Sequence, residues 1–371
     1  MQTNKKTIGL IGGGQLAQML AIRGRQMGLK IYVLSPLKDD PAAQFASEWI
    51  CGDPYNLLDL KKLFIKADYV TFENEFIPAT LIQKATLRPQ HCYPSLEHLA
   101  ILQDRWPQKE LLWDYQIPTA PFVKINSKDD LESAFNVFNS EMVIKERHGG
   151  YDGLSTYVIK SRADLGRFKR AHPNQETQYI AEKFIHFKSE KSLVMARNKK
   201  KDFFIYPLMH TLQRNNQCYR VWGPAKHPAL PGLTEKIKNL LNEINFIGLI
   251  SFELFDLGRE LLINEIAPRV HNAGHITQDA FSIDQFELHL RSILGIDFPS
   301  DVQSTSCFLM QNILGKSYRK PIIANGLNGR LHWYGKDTNR PKRKLGHLNY
   351  TGNRITKLVE LAESDLRKIK T

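Results

Sequence analysis

Alternation of apolar and polar positions is most regular across residues 249–272, where it predicts two strands joined by a tight turn at Gly258 and Arg259. Each strand carries one glutamate, Glu253 in the first and Glu265 in the second. A turn with an odd number of residues would place both carboxylates on one face of the hairpin, whereas a two-residue turn would separate them. We expect the odd turn, because paired carboxylates suit Mg²⁺. The alternative is a half-buried hairpin with solvated glutamates.

The first hundred residues alternate short apolar strands with amphipathic segments, which predicts an α/β unit. A strand at residues 7–11 leads into the loop Gly12-Gly13-Gly14, and a helix follows until Gly28. The run from this loop to Ala17 fits a relaxed dinucleotide fingerprint, but the next strand ends in Ser35 without a carboxylate. We therefore expect the helix N-terminus to hold a phosphate or another anion, and a nicotinamide dinucleotide is the weaker alternative.

Polar residues follow another buried strand of this unit. Residues 69–72 form the strand, and Glu73-Asn74-Glu75 come directly after it. Acidic residues at the carboxyl end of a strand in an open α/β sheet face the ligand crevice, and a solvated loop is the alternative. A short strand at residues 93–95 and a helix at residues 96–102, capped by Ser95, close the unit near residue 100.

A lysine and a glycine-rich loop stand out in the middle of the chain. The predicted strand at residues 142–147 carries Lys145, and the loop 148–153 connects it to a strand at residues 156–159. Two strands with such a loop can fold over nucleotide phosphates, and a generic β-hairpin is the alternative.

The remaining predicted elements are helices at 104–115, 129–139, 234–245, 284–294 (with a capping box from Ser282 and a stop at Gly295) and 355–370, and strands at 179–185, 193–197, 203–208 and within 307–350.

Composition narrows the class of protein. The chain has 371 residues, of which 42% are hydrophobic and 24% charged, as expected for a globular protein of two or three domains. The net charge of +13 is spread along the chain without a nucleic-acid-binding motif, so it favours a solvated surface or phosphorylated substrates. The four cysteines are scattered, which argues against a disulfide framework and favours the cytoplasm. No apolar run approaches the roughly 20 residues of a membrane helix.

Several motifs in one order resemble the ATP-grasp family. They are GGGQLAQML in the first unit, KERHGGYDG around Lys145, FIHFKSEKSLVMAR, and NEIAPRVHNAGHITQDA after the hairpin. Within that family, the arrangement across roughly residues 7–350 is similar to that of the 5-(carboxyamino)imidazole ribonucleotide synthases. The chain departs from their pattern at Leu154-Ser155, where the lid loop usually continues with a basic residue and a glycine, and at Gln213, where a histidine is usual.

The resemblance implies an α/β and α+β fold of the ATP-grasp type. We expect a Rossmann-like α/β domain at residues 1–100, a two-part ATP-grasp domain at 101–300 with a lid subdomain at about 120–185, and a small β-rich domain at 301–371. The resemblance also implies ATP and Mg²⁺ as cofactors, bicarbonate and aminoimidazole ribonucleotide as substrates, and a cytoplasmic homodimer that binds neither nucleic acid nor membrane.

The resemblance further assigns roles to individual residues. ATP would contact Arg105, Lys145, Gly149, Gly150, Tyr151, Asp152, Gly153, Glu182, Lys183, Phe184, Ile185, Glu190, Asn264 and Glu265. Mg²⁺ would be held by Glu253 and Glu265. The other substrates would contact Gln15, Arg269, His271, Asn272, Arg343 and Lys344, with Arg269, Tyr151 and Asp152 as catalytic residues.

The implied reaction is ATP-dependent carboxylation of 5-aminoimidazole ribonucleotide through carboxyphosphate, in de novo purine biosynthesis. We hypothesise that Arg269 holds bicarbonate, because a planar guanidinium binds such an anion in a bidentate manner. Three alternatives stay open at this point: another ATP-grasp ligase, such as a formate-using glycinamide ribonucleotide transformylase; an NAD-dependent oxidoreductase; and a basic nucleic-acid-binding module.

Overall fold

The computed structural model describes residues 6–150, 155–172, 178–317, 319–336 and 339–371. Three predicted ATP-site residues, Tyr151, Asp152 and Gly153, lie outside these ranges, as does Leu154. The strands are β1 (Thr7–Ile11), β2 (Lys30–Ser35), β3 (Glu48–Cys51), β4 (Tyr69–Phe72), β5 (Phe122–Ile125), β6 (Met142–Glu146), β7 (Thr156–Ile159), β8 (Tyr179–Lys183), β9 (Ser189–Arg197), β10 (Phe203–Ile205), β11 (Met209–Arg214), β12 (Gln217–Gly223), β13 (Gly248–Asp256), β14 (Leu261–Ala267), β15 (Cys307–Leu314), β16 (Ile322–Ile323), β17 (Arg330–Trp333), β18 (Lys344–Gly352) and β19 (Ile369–Lys370). The helices are α1 (Gln15–Gln26), α2 (Leu57–Lys66), α3 (Ala79–Ala85), α4 (Leu96–Leu102), α5 (Arg105–Asp114), α6 (Lys128–Val137), α7 (Arg162–Ala171), α8 (Leu230–Glu243), α9 (Thr277–Ala280), α10 (Gln285–Leu294) and α11 (Ile355–Arg367).

The first unit is a parallel sheet in the order β3-β2-β1-β4, so the predicted α/β architecture is confirmed. Helix α4 begins as expected, because the Ser95 hydroxyl accepts a hydrogen bond from the His98 amide at 3.2 Å. The predicted strand at residues 93–95 is wrong. Cys92 makes a single bridge to Val70, and Pro94 has no N–H with which to continue a ladder.

A small antiparallel sheet in the order β5-β8-β6-β7 forms the second body. Helices α6 and α7 contribute Leu131, Phe135, Leu165 and Phe168 to the apolar core that this sheet shares with them. Strands β6 and β7 flank the glycine-rich loop, as the sequence predicted. The loop therefore starts from β6, an interior strand that is paired on both sides, and returns through the edge strand β7.

The largest body is an antiparallel sheet in the order β14-β13-β9-β11-β12-β15-β18-β17, with β10 paired to β9. The C-terminal strands β15, β18 and β17 continue this sheet, because β15 pairs with β12. Alternate residues of β13 face opposite sides: Ile250 and Phe252 pack in the core that includes α8, while Leu249 packs in the core shared with the first unit.

Helices α1 and α10 join the first unit to the large sheet, and Arg23 forms an ion pair with Asp284 across their contact. Asp284 is also the N-cap of α10, since its carboxylate accepts the Glu287 amide at 2.8 Å. The capping box predicted from Ser282 is therefore wrong, because the helix begins later than expected. Gly295 ends the helix in the left-handed conformation, as predicted. No helix within the described ranges is long and apolar enough to cross a bilayer.

Candidate active site

Glu253 on β13 and Glu265 on β14 are direct cross-strand partners, so their side chains leave the same face of the sheet. The sequence predicted this arrangement from a turn with an odd number of residues, and that expectation of the turn is wrong. The pairing of Asp256 with Leu261 leaves a four-residue turn, which is an even number. The register then shifts so that Asn264 is the extra residue of a β-bulge, and this shift returns the two glutamates to one face.

The surroundings of this pair disfavour the ionised form of Glu253. Burial, followed by the charges of Glu265 and Glu190, raises the pKa of Glu253 to about 7. His271 Nε2 lies 3.5 Å from Glu253 Oε1, but burial and the nearby cations Arg269 and Lys344 lower the pKa of His271 to about 3. The histidine is therefore neutral at pH 7, and it does not neutralise the glutamate.

The two glutamates fit a magnesium site that a substrate completes. The Glu253 and Glu265 side chains keep 37% and 35% exposure, so both reach an open cleft. The described residues contain no cluster of three or more histidine, cysteine, aspartate or glutamate side chains that could hold a metal alone. Mg²⁺ is usually bound by one or two carboxylates together with substrate phosphates, and this donor set matches that rule.

Lys145 faces the same cleft from β6. Its ammonium donates to Asn264 Oδ1 at 2.9 Å and to Glu182 Oε2 at 3.1 Å. The structure therefore brings together three predicted ATP-site residues. The Glu182 carboxylate points to the lysines, and a second lysine, Lys109 of α5, lies 3.4 Å from the same oxygen.

Arg105 connects the start of the glycine-rich loop to the metal pair. Its guanidinium donates to Glu146 O at 2.9 Å, to Gly150 O at 3.3 Å and to Glu265 Oε1 at 3.2 Å. A Cβ atom on Gly150 would lie 2.9 Å from Arg105 Nη1, so a larger residue there would displace the guanidinium from its present position. Gly149 has φ +74°, which also favours glycine.

The remaining predicted ATP contacts in the described residues include Lys183, Phe184, Ile185 and Glu190. The amides of Lys183 and Phe184 donate to Pro121 O at 2.8 Å and to Glu141 O at 3.2 Å, which fixes the strand end that continues into Ile185. Glu190 lies opposite Phe255 on the face of the large sheet that carries Glu253. Burial raises the pKa of Glu190 to about 7.

The glycine loop of the first unit is occupied by a carboxyl group of the protein itself. Glu73 Oε1 accepts the Gly14 amide at 2.9 Å at the N-terminus of α1. A Cβ atom on Gly12 would lie 2.6 Å from Glu73 Cγ, so the glycines make room for this side chain. The sequence predicted a phosphate or another anion at these amides, and the group found there is a carboxyl group of the protein, from the end of β4, in place of a phosphate. The dinucleotide alternative fails for the same reason.

Arg269 is oriented by Glu75. Its Nε and Nη2 both donate to the Glu75 carboxylate, the latter at 3.0 Å, and Nη1 donates to Val270 O at 3.1 Å. Three of its five N–H groups are thus engaged within the described part of the chain, and two others are left for an anion.

The loop after Arg269 is held by side-chain amides. Gln285 accepts the His271 amide at 2.9 Å and donates to His271 O at 2.8 Å. Asn272 accepts from Asn312 Nδ2 at 2.7 Å, and Asn312 also donates to Cys218 O at 2.8 Å. The predicted residues His271 and Asn272 therefore occupy fixed positions beside Glu253 and β15.

The sequence prediction missed Lys336. Its ammonium donates to Gln15 Oε1 at 2.8 Å and to Lys344 O at 2.7 Å, which joins the first glycine loop to β18. Burial and Arg343 lower the pKa of Lys336 to about 7, and Glu73 opposes that shift. The predicted residues Gln15, Arg343 and Lys344 thus lie around Lys336 in a basic cluster.

Comparisons with known proteins give one result along the whole chain. Residues 5–103 match the ribonucleotide synthetase preATP-grasp domain, residues 110–286 the ATP-grasp domain, and residues 309–360 the phosphoribosylaminoimidazole carboxylase C-terminal domain. N5-carboxyaminoimidazole ribonucleotide synthase of Synechococcus elongatus is 32% identical over 98% of this chain and 94% of its own length. The Staphylococcus aureus enzyme of the same name is 31% identical over 94% of this chain and 93% of its own length.

Solved structures of the same family are also similar to this chain. N5-carboxyaminoimidazole synthetase from Staphylococcus aureus, complexed with ADP, is similar with a TM-score of 0.89 and 29% identity over 97% of each chain. The Thermus thermophilus synthetase gives a TM-score of 0.87 and 28% identity over 97% of this chain and 98% of its own. The predicted ATP-grasp fold is confirmed. The chain belongs to the N5-carboxyaminoimidazole ribonucleotide synthase family of ATP-grasp ligases.

Proposed function

We propose that the protein carboxylates 5-aminoimidazole ribonucleotide with bicarbonate, at the expense of ATP, in de novo purine biosynthesis. The products are 5-(carboxyamino)imidazole ribonucleotide, ADP and phosphate. Support comes from relatives of this name that align along nearly their full length. The observation that carries the proposal is the convergence of Glu253, Glu265, Lys145 and Arg105 in one cleft.

ATP lies in that cleft with its phosphates toward Lys145 and Arg105. Lys145 contacts Asn264 beside the metal pair, and Arg105 contacts Glu265 of the pair itself. Cations placed there neutralise the charge on the γ-phosphoryl group during transfer. Glu190 takes the ribose hydroxyls.

Mg²⁺ is held by Glu253 and Glu265, with Asn264 beside them. When bound, the ion neutralises phosphate charge and orients the γ-phosphoryl group. The pair is suited to this role because burial and the neighbouring charge of Glu265 raise the pKa of Glu253, so a cation beside its carboxylate would be favoured.

Arg269 holds bicarbonate so that an oxygen of bicarbonate attacks the γ-phosphorus and ADP leaves. Glu75 keeps the guanidinium in place, and the two remaining N–H groups bind the anion. The carboxyphosphate that forms is protected from water by the lid. It releases carbon dioxide and phosphate beside the ribonucleotide. The 5-amino nitrogen then bonds to the carbon dioxide, and the released phosphate accepts the proton.

The ribonucleotide binds at the basic cluster around Lys336, which joins the first unit to the C-terminal strands. Lys336, Arg343 and Lys344 attract its phosphate, and Gln15 is positioned by the hydrogen bond to Lys336. His271 lies beside Glu253, and Asn272 is held by Asn312 of β15, so both are available to the ribonucleotide near the metal pair. The net charge of +13 is consistent with such an acidic substrate.

A substrate panel tests the proposal. ADP release is measured with bicarbonate plus aminoimidazole ribonucleotide, with each alone, and with formate plus glycinamide ribonucleotide. We expect release above the ATP-only rate only with the first pair, together with formation of the carboxylated ribonucleotide. Equal or faster release with formate and glycinamide ribonucleotide would favour the transformylase alternative.

We also propose that the protein is a cytoplasmic homodimer, on the basis of its family resemblance. Light scattering coupled to size-exclusion chromatography would give a mass near twice the 42.7 kDa of the chain. A mass equal to that of one chain at micromolar concentration would reject the dimer.

A further inference from the structure

Lys109 is buried behind the cleft that carries Lys145 and Glu265, and its side chain is not exposed to that cleft. Its side chain is 1% exposed on α5, and its ammonium donates to Thr119 Oγ1 at 2.6 Å. Thr119 Oγ1 in turn donates to Ile263 O at 2.7 Å, next to the bulge residue Asn264. The position of Lys109 is therefore tied to the strand that carries Glu265.

Two ammonium groups share one carboxylate oxygen here. Lys145 and Lys109 lie 3.1 Å and 3.4 Å from Glu182 Oε2, and the Glu182 side chain is only 3% exposed. Its other oxygen, Oε1, has no hydrogen-bond partner within the described part of the chain. A buried carboxylate in this state needs at least one fixed cation, because an unpaired buried charge is strongly destabilising.

The two lysines differ in what they can reach. Lys145 is 10% exposed and also contacts Asn264, so it can turn its ammonium to a triphosphate in the cleft. Lys109 is enclosed and cannot follow. If Lys145 moves to the phosphates, Lys109 is the cation that stays with Glu182.

We propose that Lys109 is a positioning residue for ATP: it remains the counterion of Glu182 and thereby releases Lys145 to the triphosphate. The proposal rests on the proposed function, because it needs ATP in this cleft. With Lys109 neutral, Glu182 would depend on Lys145 alone and hold it away from the phosphates. ATP would then bind more weakly, although the transfer step would still have its metal ligands.

A pH dependence follows. Burial lowers the pKa of Lys109 to about 8, with Lys145 acting in the same direction and with Glu182 and Glu265 opposing it. The other charge that faces the trio is Arg105, which acts on Glu182. As pH rises through about 8, Lys109 loses its proton. The KM for ATP should therefore rise about tenfold between pH 7 and pH 9, in proportion to the loss of the protonated form.

The test compares Lys109→Met and Lys109→Arg with the wild type at pH 7 and pH 9. We expect Lys109→Met to raise the KM for ATP about tenfold at pH 7, to change kcat much less, and to remove most of the pH dependence of that KM. Lys109→Arg should keep the KM low at both pH values, since arginine stays protonated. Lys128→Met, on the exposed start of α6, is the matched control and should behave as the wild type.

Each other outcome counts against the proposal. A folded Lys109→Met protein with an unchanged KM for ATP, or with equal losses for ATP and for the ribonucleotide, would overturn it. If Lys109→Met does not fold, the Lys109→Arg profile decides: a KM that still rises near pH 8 as in the wild type would overturn the proposal. Calorimetric titration with ATP reads the same effect without turnover, so failure of the carboxylation proposal is distinguished from failure of this one.

Discussion

Replacing Glu253 by glutamine should make the metal-free protein more stable at pH 8 while it abolishes magnesium-dependent activity. The physical reason is that the carboxylate is forced to ionise beside Glu265 in a partly buried cleft. Its pKa rises from 4.5 to about 7. At about 1.4 kcal/mol per tenfold change in proton affinity, this corresponds to roughly 3 kcal/mol. Because the side chain is 37% exposed, solvent screening reduces the cost to about 1–2 kcal/mol.

The sign of the pH effect is fixed by the direction of this shift. Between pH 4.5 and pH 7 the folded protein holds a proton on Glu253 that the unfolded chain has already released, so the free energy of unfolding falls as pH rises. The penalty is complete above about pH 7 and largely absent near pH 4.5. Glu253→Gln should therefore melt on the order of 1–3 °C above the wild type at pH 8, and this difference should shrink at pH 5.

Differential scanning calorimetry without Mg²⁺ checks this, with Glu260→Gln as control, because Glu260 is exposed on the turn of the same hairpin. Added Mg²⁺ and ADP should stabilise the wild type more than Glu253→Gln, since ligand that binds only the folded state raises its stability. A variant no more stable than the wild type at pH 8 would refute the reasoning. So would a variant with full activity at low Mg²⁺.

Three further predictions concern the substrate side of the cleft. Arg269→Ala should lose bicarbonate-dependent phosphate release by about 100-fold or more, as expected when a charge-assisted bidentate contact is removed; unchanged turnover would reject its role. Lys336→Met should raise the KM for the ribonucleotide about tenfold at pH 6 and remove the increase expected in the wild type as Lys336 deprotonates above about pH 7; an unaltered pH profile would count against it. Glu73→Ala should cost about 1–3 kcal/mol in urea unfolding, because the Gly14 amide loses its acceptor, whereas Glu73→Gln should retain much of the stability; equal midpoints would contradict this.

The local pattern of apolar and polar residues was sufficient to predict most helices and strands, including the hairpin that carries the metal pair. Alternation located β13 and β14, and the chemistry of two carboxylates suggested that they share a face. The sequence did not predict the β-bulge that places both glutamates on one face, because the bulge at Asn264 depends on how β14 pairs with β13. A bulge is a property of the pairing, and the turn length alone gave the wrong parity.

Long-range contacts account for the remaining misses. Glu73 fills the first glycine loop from 59 residues away, and Lys336 reaches Gln15 across 321 residues, so no local pattern could reveal either contact. Lys109 left a detectable signal. Arg105, Lys109 and Leu112 have helical spacing on α5, and Leu112 is fully buried. A lysine on the same inward face of the helix therefore indicates a buried acidic or polar partner.

The transfer of one oxygen from bicarbonate to phosphate tests the carboxylation chemistry most directly. With ¹⁸O-labelled bicarbonate, ATP and aminoimidazole ribonucleotide, each turnover should yield phosphate that carries one ¹⁸O atom, because the bicarbonate oxygen that attacks the γ-phosphorus stays with it. Phosphate that contains no label while the carboxylated ribonucleotide accumulates would contradict attack by bicarbonate in the cleft formed by Glu253, Glu265, Lys145 and Arg269.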